Sequence, residues 1–313
     1  MNSLIKFPNF KDIDIHDIDI FSEYFKKYTT IESEYNFTNF FMWKNYYNIS
    51  YSIYNNYLLI ICTCCNKSSC SEKDQVYGLQ PIGPNNKIEL KDAVNKLLGI
   101  LQKKHKQPIL KLKRVGENIF NILKNEKEFT FNPLRDHFDY VYKAEDLINL
   151  RGDKYNSKRN HINKFKKLYN FEFIDYEEKY KNQMIDLLES WKDVKIEKND
   201  SNLQGEIDAV NNLIGNYPKL NLKIGLLVVD NKVIAFSMGE KVNNNEFVIH
   251  VEKANISYQG SYSMINNLFV KKYCQDTKFI NREQDLGNEG LRKAKLSYKP
   301  YTFYQKYELI QNK

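Results

Sequence analysis

The chain has 313 residues, of which 42% are hydrophobic, and its 47 basic and 39 acidic residues give a formal charge of +8. No apolar run approaches the ~20 residues that a membrane-spanning helix needs, and the N-terminal segment turns acidic at once, unlike a signal peptide. We therefore expect a cytoplasmic protein of two domains. The basic excess suggests an anionic partner such as a nucleotide, RNA or a lipid headgroup, although a composition rich in Asn, Lys, Ile and Tyr, as A+T-rich coding supplies, explains it equally well.

In the first half, apolar spacing predicts two short helices and a hairpin before a longer amphipathic helix. The hairpin turns at Asn55-Asn56, and the long helix carries an apolar stripe from Val94 to Leu101. The predicted elements are helices at 16–28 and 37–46, strands at 48–54, 57–63 and 76–82, a helix at 90–104, a strand at 109–115, a helix near 118–124 and a strand at 137–142.

In the second half the ends of the predicted elements are marked more clearly by turn residues. Asp230-Asn231 suits a tight hairpin because both residue types tolerate positive φ, and Gly260 opens a helix. The predicted elements are a strand at 171–176, helices at 180–191 and 207–217, strands at 222–229, 232–239 and 246–254, a helix from 260 to 273, a strand at 277–282, a helix at 289–296 and a final strand at 301–307.

The order of elements in the second half is β-α-α-β-β-β-α-β-α-β, in which an antiparallel meander precedes a β-α-β crossover. This order matches the acyl-CoA N-acyltransferase (GNAT) core, and the first half repeats it without obvious sequence identity. A dinucleotide-binding fold is excluded, because it needs repeated βαβ units and a glycine-rich first turn. We predict an α/β (α+β) protein formed by tandem duplication of a GNAT-like fold. Its mixed, mostly antiparallel sheets are flanked by helices, with a first domain at 1–145 and a second at 146–313.

The five cysteines form no pattern typical of disulfides or metal sites. Four of them crowd together and the fifth is distant: Cys62, Cys64, Cys65, Cys70 and Cys274. An odd count does not suggest a disulfide framework, and the spacing lacks the paired C-x2-C halves of a zinc ribbon. We therefore expect reduced thiols and no bound metal.

Several segments resemble one bacterial family. They are SEYNFTNFFMWKNYYNI (33–49), KRNHINKF (158–165), VIHVEKAN (248–255), GSYSMINNLF (260–269) and INREQDLGNEGLRKAKLSYKP (280–300). Together they resemble soluble members of the phosphatidylglycerol lysyltransferase C-terminal domain group, over nearly the whole chain. That group is similar in fold to GNAT enzymes and Fem-type peptidyltransferases, and its characterised relatives move an aminoacyl group from a charged tRNA to a lipid or peptide amine. The resemblance implies the fold and, by analogy, a transferase.

One turn departs from the GNAT pattern. Acetyltransferases hold the CoA pyrophosphate with a Q/R-x-x-G-x-G/A turn, whereas here Ser257 leads, Gly260 is in place and Tyr262 closes the turn. The bulky tyrosine obstructs a close phosphate approach. The helix start is still a candidate anion site, because its first amides are unpaired within the helix and Ser261 and Ser263 add hydroxyls. An ordinary glycine turn with serine caps is the alternative.

The strand at 246–254 carries candidate catalytic groups. His250 and Glu252 are two residues apart, so we expect them on one face, with Phe247 and Ile249 on the other. Glu240 ends the preceding strand and is expected to lie across from them. A general base that deprotonates an incoming amine suits Glu252 or His250. The alternative is a structural ion pair between Glu252 and a nearby cation such as Arg282.

Two further groups of residues are candidate binding sites. Arg282, Asp285, Arg292 and Lys295 follow the next strand, where an open α/β sheet places ligand contacts, and they suit phosphate, carboxylate or the acceptor end of tRNA. The basic segment 151–167 forms a helix in which Lys158, Arg159 and Lys164 are candidates for docking RNA, a nucleotide or anionic lipid. Solvated charged helix faces are the alternative in both cases.

Three functions remain open on this evidence. The first is an acyl- or aminoacyl-transferase that uses the second domain, with aminoacyl-tRNA or acyl-CoA as donor and an amine or hydroxyl acceptor. Direct attack on the bound donor then needs positioning and carbonyl polarisation but no enzyme nucleophile. The second is a non-catalytic GNAT relic that binds a nucleotide, a lipid headgroup or RNA. The third is a nucleic-acid-associated protein that also uses a second basic stretch at 103–114.

Overall fold

The computed structural model describes residues 5–63, 76–190 and 203–312. Cys64, Cys65, Cys70 and the last residue of the helix predicted at 180–191 lie outside these ranges, whereas Cys62 and Cys274 are buried free thiols. The chain divides into two compact units. One comprises Met1–Phe138 with Tyr304–Lys313, and the other is Asp139–Phe303.

In the first unit the described strands form a seven-stranded sheet. Its strands are β1 (Lys11–Asp12), β2 (Ile49–Tyr54), β3 (Tyr57–Thr63), β4 (Val76–Leu79), β5 (Lys111–Gly116), β6 (Phe129–Pro133) and β14 (Lys306–Gln311). Their order across the sheet is β1-β2-β3-β4-β5-β14-β6, and only β4 and β5 pair in parallel among these strands. The helices of this unit are α1 (Ile18–Lys27), α2 (Phe37–Tyr47), α3 (Lys87–Lys103) and α4 (Glu117–Leu123).

The second unit contains another sheet of seven described strands. They are β7 (Asp139–Lys143), β8 (Phe171–Asp175), β9 (Lys223–Val229), β10 (Lys232–Lys241), β11 (Glu246–Ala254), β12 (Phe279–Asn281) and β13 (Thr302–Tyr304), in the order β13-β7-β12-β11-β10-β9-β8. β11 and β12 run parallel within a largely antiparallel sheet. The helices are α5 (Ala144–Asn149), α6 (Asn156–Leu168), α7 (Lys181–Glu189), α8 (Leu203–Gly215), α9 (Ser261–Tyr273) and α10 (Glu289–Leu296).

Local patterns account for most of these elements. The apolar stripe of α3 from Leu90 to Leu101 is buried, as helical spacing predicts. Asp230 and Asn231 both adopt positive φ at the β9–β10 hairpin, which confirms the predicted tight turn. The two mixed, mostly antiparallel sheets flanked by helices were predicted, whereas β1, β6 and α5 were not.

The division of the chain differs from the one predicted. The strand expected at 301–307 is two strands: β13 joins the second sheet, and β14 lies between β5 and β6 in the first. Leu309 of β14 belongs to the hydrophobic core of the first unit, and the buried Lys306 of the same strand forms an ion pair with Glu34. β7, assigned to the first domain by the boundary at 145, belongs to the second sheet. Strands pair with partners that are distant in sequence, and a boundary drawn from the order of elements along the chain does not detect such pairing.

Candidate functional site

The parallel strands β11 and β12 part at a point rich in charged residues. Their pairing ends at Val248 opposite Asn281, whereas β11 continues to Ala254. The segments that follow this point contain most of the candidate side chains. The carboxyl end of parallel strands is where open α/β sheets bind ligands.

A β-bulge at His250 changes the faces of β11. Ile249 pairs with Gly239 and Val251 with Met238, so His250 is the extra residue. Before the bulge, Phe247 and Ile249 belong to the core under α9; after it, Ala254 belongs to that same core. The expectation that Glu252 lies opposite Phe247 and Ile249 is therefore wrong, because strict alternation does not survive a bulge.

His250 is completely buried between two carboxylates. Its Nε2 lies 3.2 Å from Glu240 and its Nδ1 lies 2.9 Å from Glu283. Burial alone would lower the pKa of His250, but the hydrogen bonds and charges of both glutamates raise it to about 9. The ring is therefore a paired imidazolium at neutral pH, and neither nitrogen is free to act as a base.

Replacing His250 by glutamine is expected to destabilise the protein more at about pH 6 than at about pH 10, by on the order of 2–3 kcal/mol. A pKa raised in the folded state stabilises it fully below the unfolded value, and that stabilisation is lost as the pH rises through about 9. Urea denaturation at both pH values measures the free energy of unfolding of wild type and variant. Taking the difference between the two proteins removes the contribution of the other titrating groups. An equal loss of unfolding free energy in the variant at both pH values would contradict the pairing of His250 with the two glutamates.

Glu252 is held by two partners. One carboxylate oxygen lies 2.9 Å from Nη2 of Arg282, and the other accepts a 2.8 Å hydrogen bond from Asn266 on α9. The Arg282 guanidinium lies 4.7 Å from the ring centre of Tyr298 and 5.7 Å from that of Tyr142. Glu252 and Arg282 are each only 11% exposed. The ion pair that the sequence analysis set against a general base is therefore present.

Lys158 adds a second cation to this cluster. Its Nζ lies 3.9 Å from the ring centre of Tyr298, on which the guanidinium of Arg282 also packs. Burial, and then the charge of Arg282, lower the pKa of Lys158 to about 8. We call Lys158, Glu252, Arg282 and Tyr298 the tyrosine cluster. Tyr298 was not among the predicted site residues, although it lies within the family-like segment at 280–300.

Asp285, Arg292 and Lys295 shape the segment after β12. The buried Asp285 accepts hydrogen bonds from Nε and Nη2 of Arg292 at 2.9 and 2.8 Å and from the Tyr140 hydroxyl at 2.5 Å. The pKa of Asp285 falls to about 2, because these hydrogen bonds outweigh its burial.

Lys295 is buried as well. It donates to the backbone carbonyls of Arg282 and Gln284 at 2.6 and 2.5 Å. Burial, and then nearby Arg282, lower the pKa of Lys295 to about 7. Asp285, Arg292 and Lys295 thus hold the loop that carries Arg282, and their role as direct ligand contacts stays a prediction.

The turn before α9 is tightly packed. Gly260 has φ of +90°, and a Cβ there would lie 2.4 Å from the backbone oxygen of His161 in α6. The Ser261 hydroxyl donates to the carbonyl of Asn255, and Ser263 lies beside the Tyr298 hydroxyl. Close helix packing therefore accounts for Gly260, and phosphate binding at this turn stays a prediction.

The basic patch predicted on α6 separates into three environments. Lys158 joins the tyrosine cluster, Arg159 donates to the backbone carbonyls of Leu150 and Gly152, and Lys164 is exposed. In the second basic stretch, Arg114 is buried against Tyr47. The three side chains therefore do not share one environment, and their role in docking an anion stays a prediction.

The geometry of a metal site is missing from the described ranges, where no group of three His, Cys, Asp or Glu residues could hold a metal ion. Each helix in the described part of the chain is too short or too polar to span a bilayer.

Comparison with known proteins identifies the family. Residues 25–310 match the model of the family described as phosphatidylglycerol lysyltransferase, C-terminal. The chain belongs to this family. An uncharacterized protein of Mycoplasmoides gallisepticum is 26% identical over 174 residues, which are 54% of each chain. The aligned region thus spans about half the length of that curated relative.

Solved structures support the fold. A conserved protein of unknown function from Bacteroides thetaiotaomicron is 31% identical over 97% of this chain and 99% of its own, with a TM-score of 0.86. L-PGS from Bacillus licheniformis is 12% identical over 99% and 94%, with a TM-score of 0.62. FemX is 8% identical over 96% of each chain, with a TM-score of 0.60. The predicted tandem GNAT-like α/β fold is confirmed.

Proposed function

We propose that the protein is an acyl- or aminoacyl-transferase whose site is the tyrosine cluster of the second unit. The observation that carries the proposal is the charged cluster at the carboxyl end of the parallel pair β11–β12, in a chain of the phosphatidylglycerol lysyltransferase C-terminal family. The acceptor is an amine or hydroxyl, including that of a peripherally contacted lipid. The proposal assumes a cytoplasmic protein, since both donor classes are made there.

In the proposed reaction the acceptor attacks the donor carbonyl directly. A bond forms from its nitrogen or oxygen to the acyl carbon, and the donor leaves as a tRNA hydroxyl or as the CoA thiol. The proton lost by the acceptor passes to the leaving group. Fixed cations near the carbonyl stabilise the charge that develops on its oxygen. Glu252, held by Arg282 and Asn266, is the carboxylate placed to orient an attacking amine.

Aminoacyl-tRNA is the donor we favour over acyl-CoA. The turn that holds the CoA pyrophosphate in acetyltransferases is here closed by Tyr262, and the space beside Gly260 is filled by the backbone of α6. A helix N-terminus binds phosphate only where the ligand can approach its amides. This packing supports a donor held elsewhere in the second unit.

Glu252→Gln is expected to lower transfer from aminoacyl-tRNA by roughly a hundredfold, since it removes the charge that orients the amine. Release of labelled amino acid to a panel of amines and lipids measures the rate, with labelled acetyl-CoA as a second donor. Glu172→Gln, an exposed glutamate on β8, is the matched control and should leave the rate unchanged. Equal transfer rates in wild type and Glu252→Gln would contradict the proposal that Glu252 orients the attacking amine.

The alternative is a non-catalytic module that binds an anionic ligand: a nucleotide, a lipid headgroup or RNA. The observation that favours it is that both nitrogens of His250 and both oxygens of Glu252 already have protein partners. Under this reading ligands raise the melting temperature, and wild-type protein transfers no label from either donor.

A further inference from the structure

One buried donor of the tyrosine cluster has no hydrogen-bond partner among the described residues, and a second cation lies beside it. Nη1 of Arg282 is buried without a partner, while Nη2 of the same side chain donates to Glu252. Lys158 is partly buried, and its Nζ packs against the Tyr298 ring. A buried donor without an acceptor is rare in folded proteins, because it loses its bonds to water.

Both donors lie against one aromatic ring. Lys158 Nζ is 3.9 Å and the Arg282 guanidinium 4.7 Å from the centre of Tyr298. Like charges this close repel each other, and the carboxylate of the tyrosine cluster, Glu252, is already paired with Arg282. The three charged side chains of the cluster therefore carry one uncompensated positive charge. An anion with a single negative charge would remove it.

We propose that Lys158 and Arg282 bind one monoanionic oxyanion, a carboxylate or a phosphodiester, whose oxygens accept from Lys158 Nζ and Arg282 Nη1. The inference rests on the proposed function only in that the oxyanion belongs to a substrate of the same site. The two donors match the two oxygens of such a group, and hydrogen bonds between ions are the strong ones in proteins. Tyr298 forms the apolar wall against which both cations rest.

The surroundings of Lys158 agree with a site whose anion neutralises it. The pKa of Lys158 is lowered to about 8 by burial and by Arg282, whereas Glu252 acts in the opposite direction. Tyr142 and Tyr298 also face Arg282, and burial raises the pKa of both phenols, so neither supplies a negative charge at neutral pH. A bound oxyanion would favour the protonated lysine.

The test is equilibrium anion binding without turnover. Melting temperature is followed against millimolar acetate and, separately, dimethyl phosphate, with chloride held at equal ionic strength. We expect a saturable rise in wild type, and roughly tenfold weaker apparent affinity in Lys158→Met, since one charged hydrogen bond is lost. Lys158→Arg, which keeps the charge, should retain binding.

Lys166→Met is the matched control, because Lys166 lies on the same helix but is exposed. The apparent affinity of this variant for either anion should equal that of wild type. A response to acetate alone would assign the site to a carboxylate, and a response to dimethyl phosphate alone would assign it to a nucleotide backbone. No saturable response in wild type, or an equal loss in Lys158→Met and Lys166→Met, would overturn the inference. Anion binding without any transfer would leave it standing and count against the proposed function alone.

Discussion

Asp285→Ala is expected to lower the free energy of unfolding by about 3–5 kcal/mol, because it removes a buried carboxylate that accepts several hydrogen bonds, two of them from a charged guanidinium. The carboxylate is fully buried and accepts from Arg292, whose side chain is 31% exposed, from the Tyr140 hydroxyl and from the amide of Gly287. Each of these donors loses its hydrogen bond to the carboxylate. Urea denaturation at neutral pH measures the loss.

Asp276→Ala is the matched control for Asp285→Ala. Asp276 forms an ion pair with Lys241 in the same unit, but its side chain is 69% exposed. Exposed pairs contribute little to stability, so the free energy of unfolding of this variant should stay close to that of wild type.

The effect of Asp285 should also depend on pH. A carboxyl pKa lowered to about 2 stabilises the folded state above the unfolded value near 4, and the stabilisation is lost as the pH falls towards 2. The difference in the free energy of unfolding between wild type and Asp285→Ala should therefore shrink as the pH falls over that range. A small deficit at neutral pH, equal to that of Asp276→Ala, would contradict the buried pairing.

Gly260→Ala is expected to destabilise the protein by roughly 3–5 kcal/mol, through left-handed backbone strain and a clash together. The residue has φ of +90°, and its new Cβ would meet the His161 oxygen at 2.4 Å. That oxygen belongs to the backbone of α6, so the helix itself must move to relieve the clash. The same movement would displace Lys158, which α6 carries into the tyrosine cluster.

Gly152→Ala tests backbone strain without the contact. Gly152 also has a positive φ, +85°, but its ψ of 171° lies in a region that is essentially restricted to glycine, and nothing lies within 4 Å of its would-be Cβ. It should therefore lose only a backbone contribution, roughly 1–3 kcal/mol. Urea denaturation of both variants compares the losses, and because the backbone at Gly152 is at least as restrictive as at Gly260, the excess loss in Gly260→Ala is a lower bound for the contribution of the contact. If Gly260→Ala is no worse than Gly152→Ala, α6 does not pack against this turn as described.

Short-range patterns were enough to predict many elements. The strand Tyr57–Thr63 and the helix Glu289–Leu296 have the predicted bounds, since apolar periodicity and end signals are local properties. The turn at Asp230-Asn231 is likewise local, because its positive φ depends on residue type. The strand Phe129–Pro133 was missed, because Phe129 and Phe131 are its only two apolar side chains before Pro133, and so short an alternation is a weak signal.

The sequence by itself determined which residue types crowd into the segments around β11, β12 and the two helices that follow, and it indicated the family. Only the tertiary structure decided how they pair. The bulge at His250 places Glu252 on the face of the sheet that α9 covers. The packing of α6 places Lys158 against the Tyr298 ring, which Arg282 also contacts. Glu283, adjacent to Arg282 in sequence, binds His250 instead of joining that cluster. Ion pairs between residues far apart in sequence depend on strand register and burial, which are set by the packing of the whole unit rather than by any local pattern.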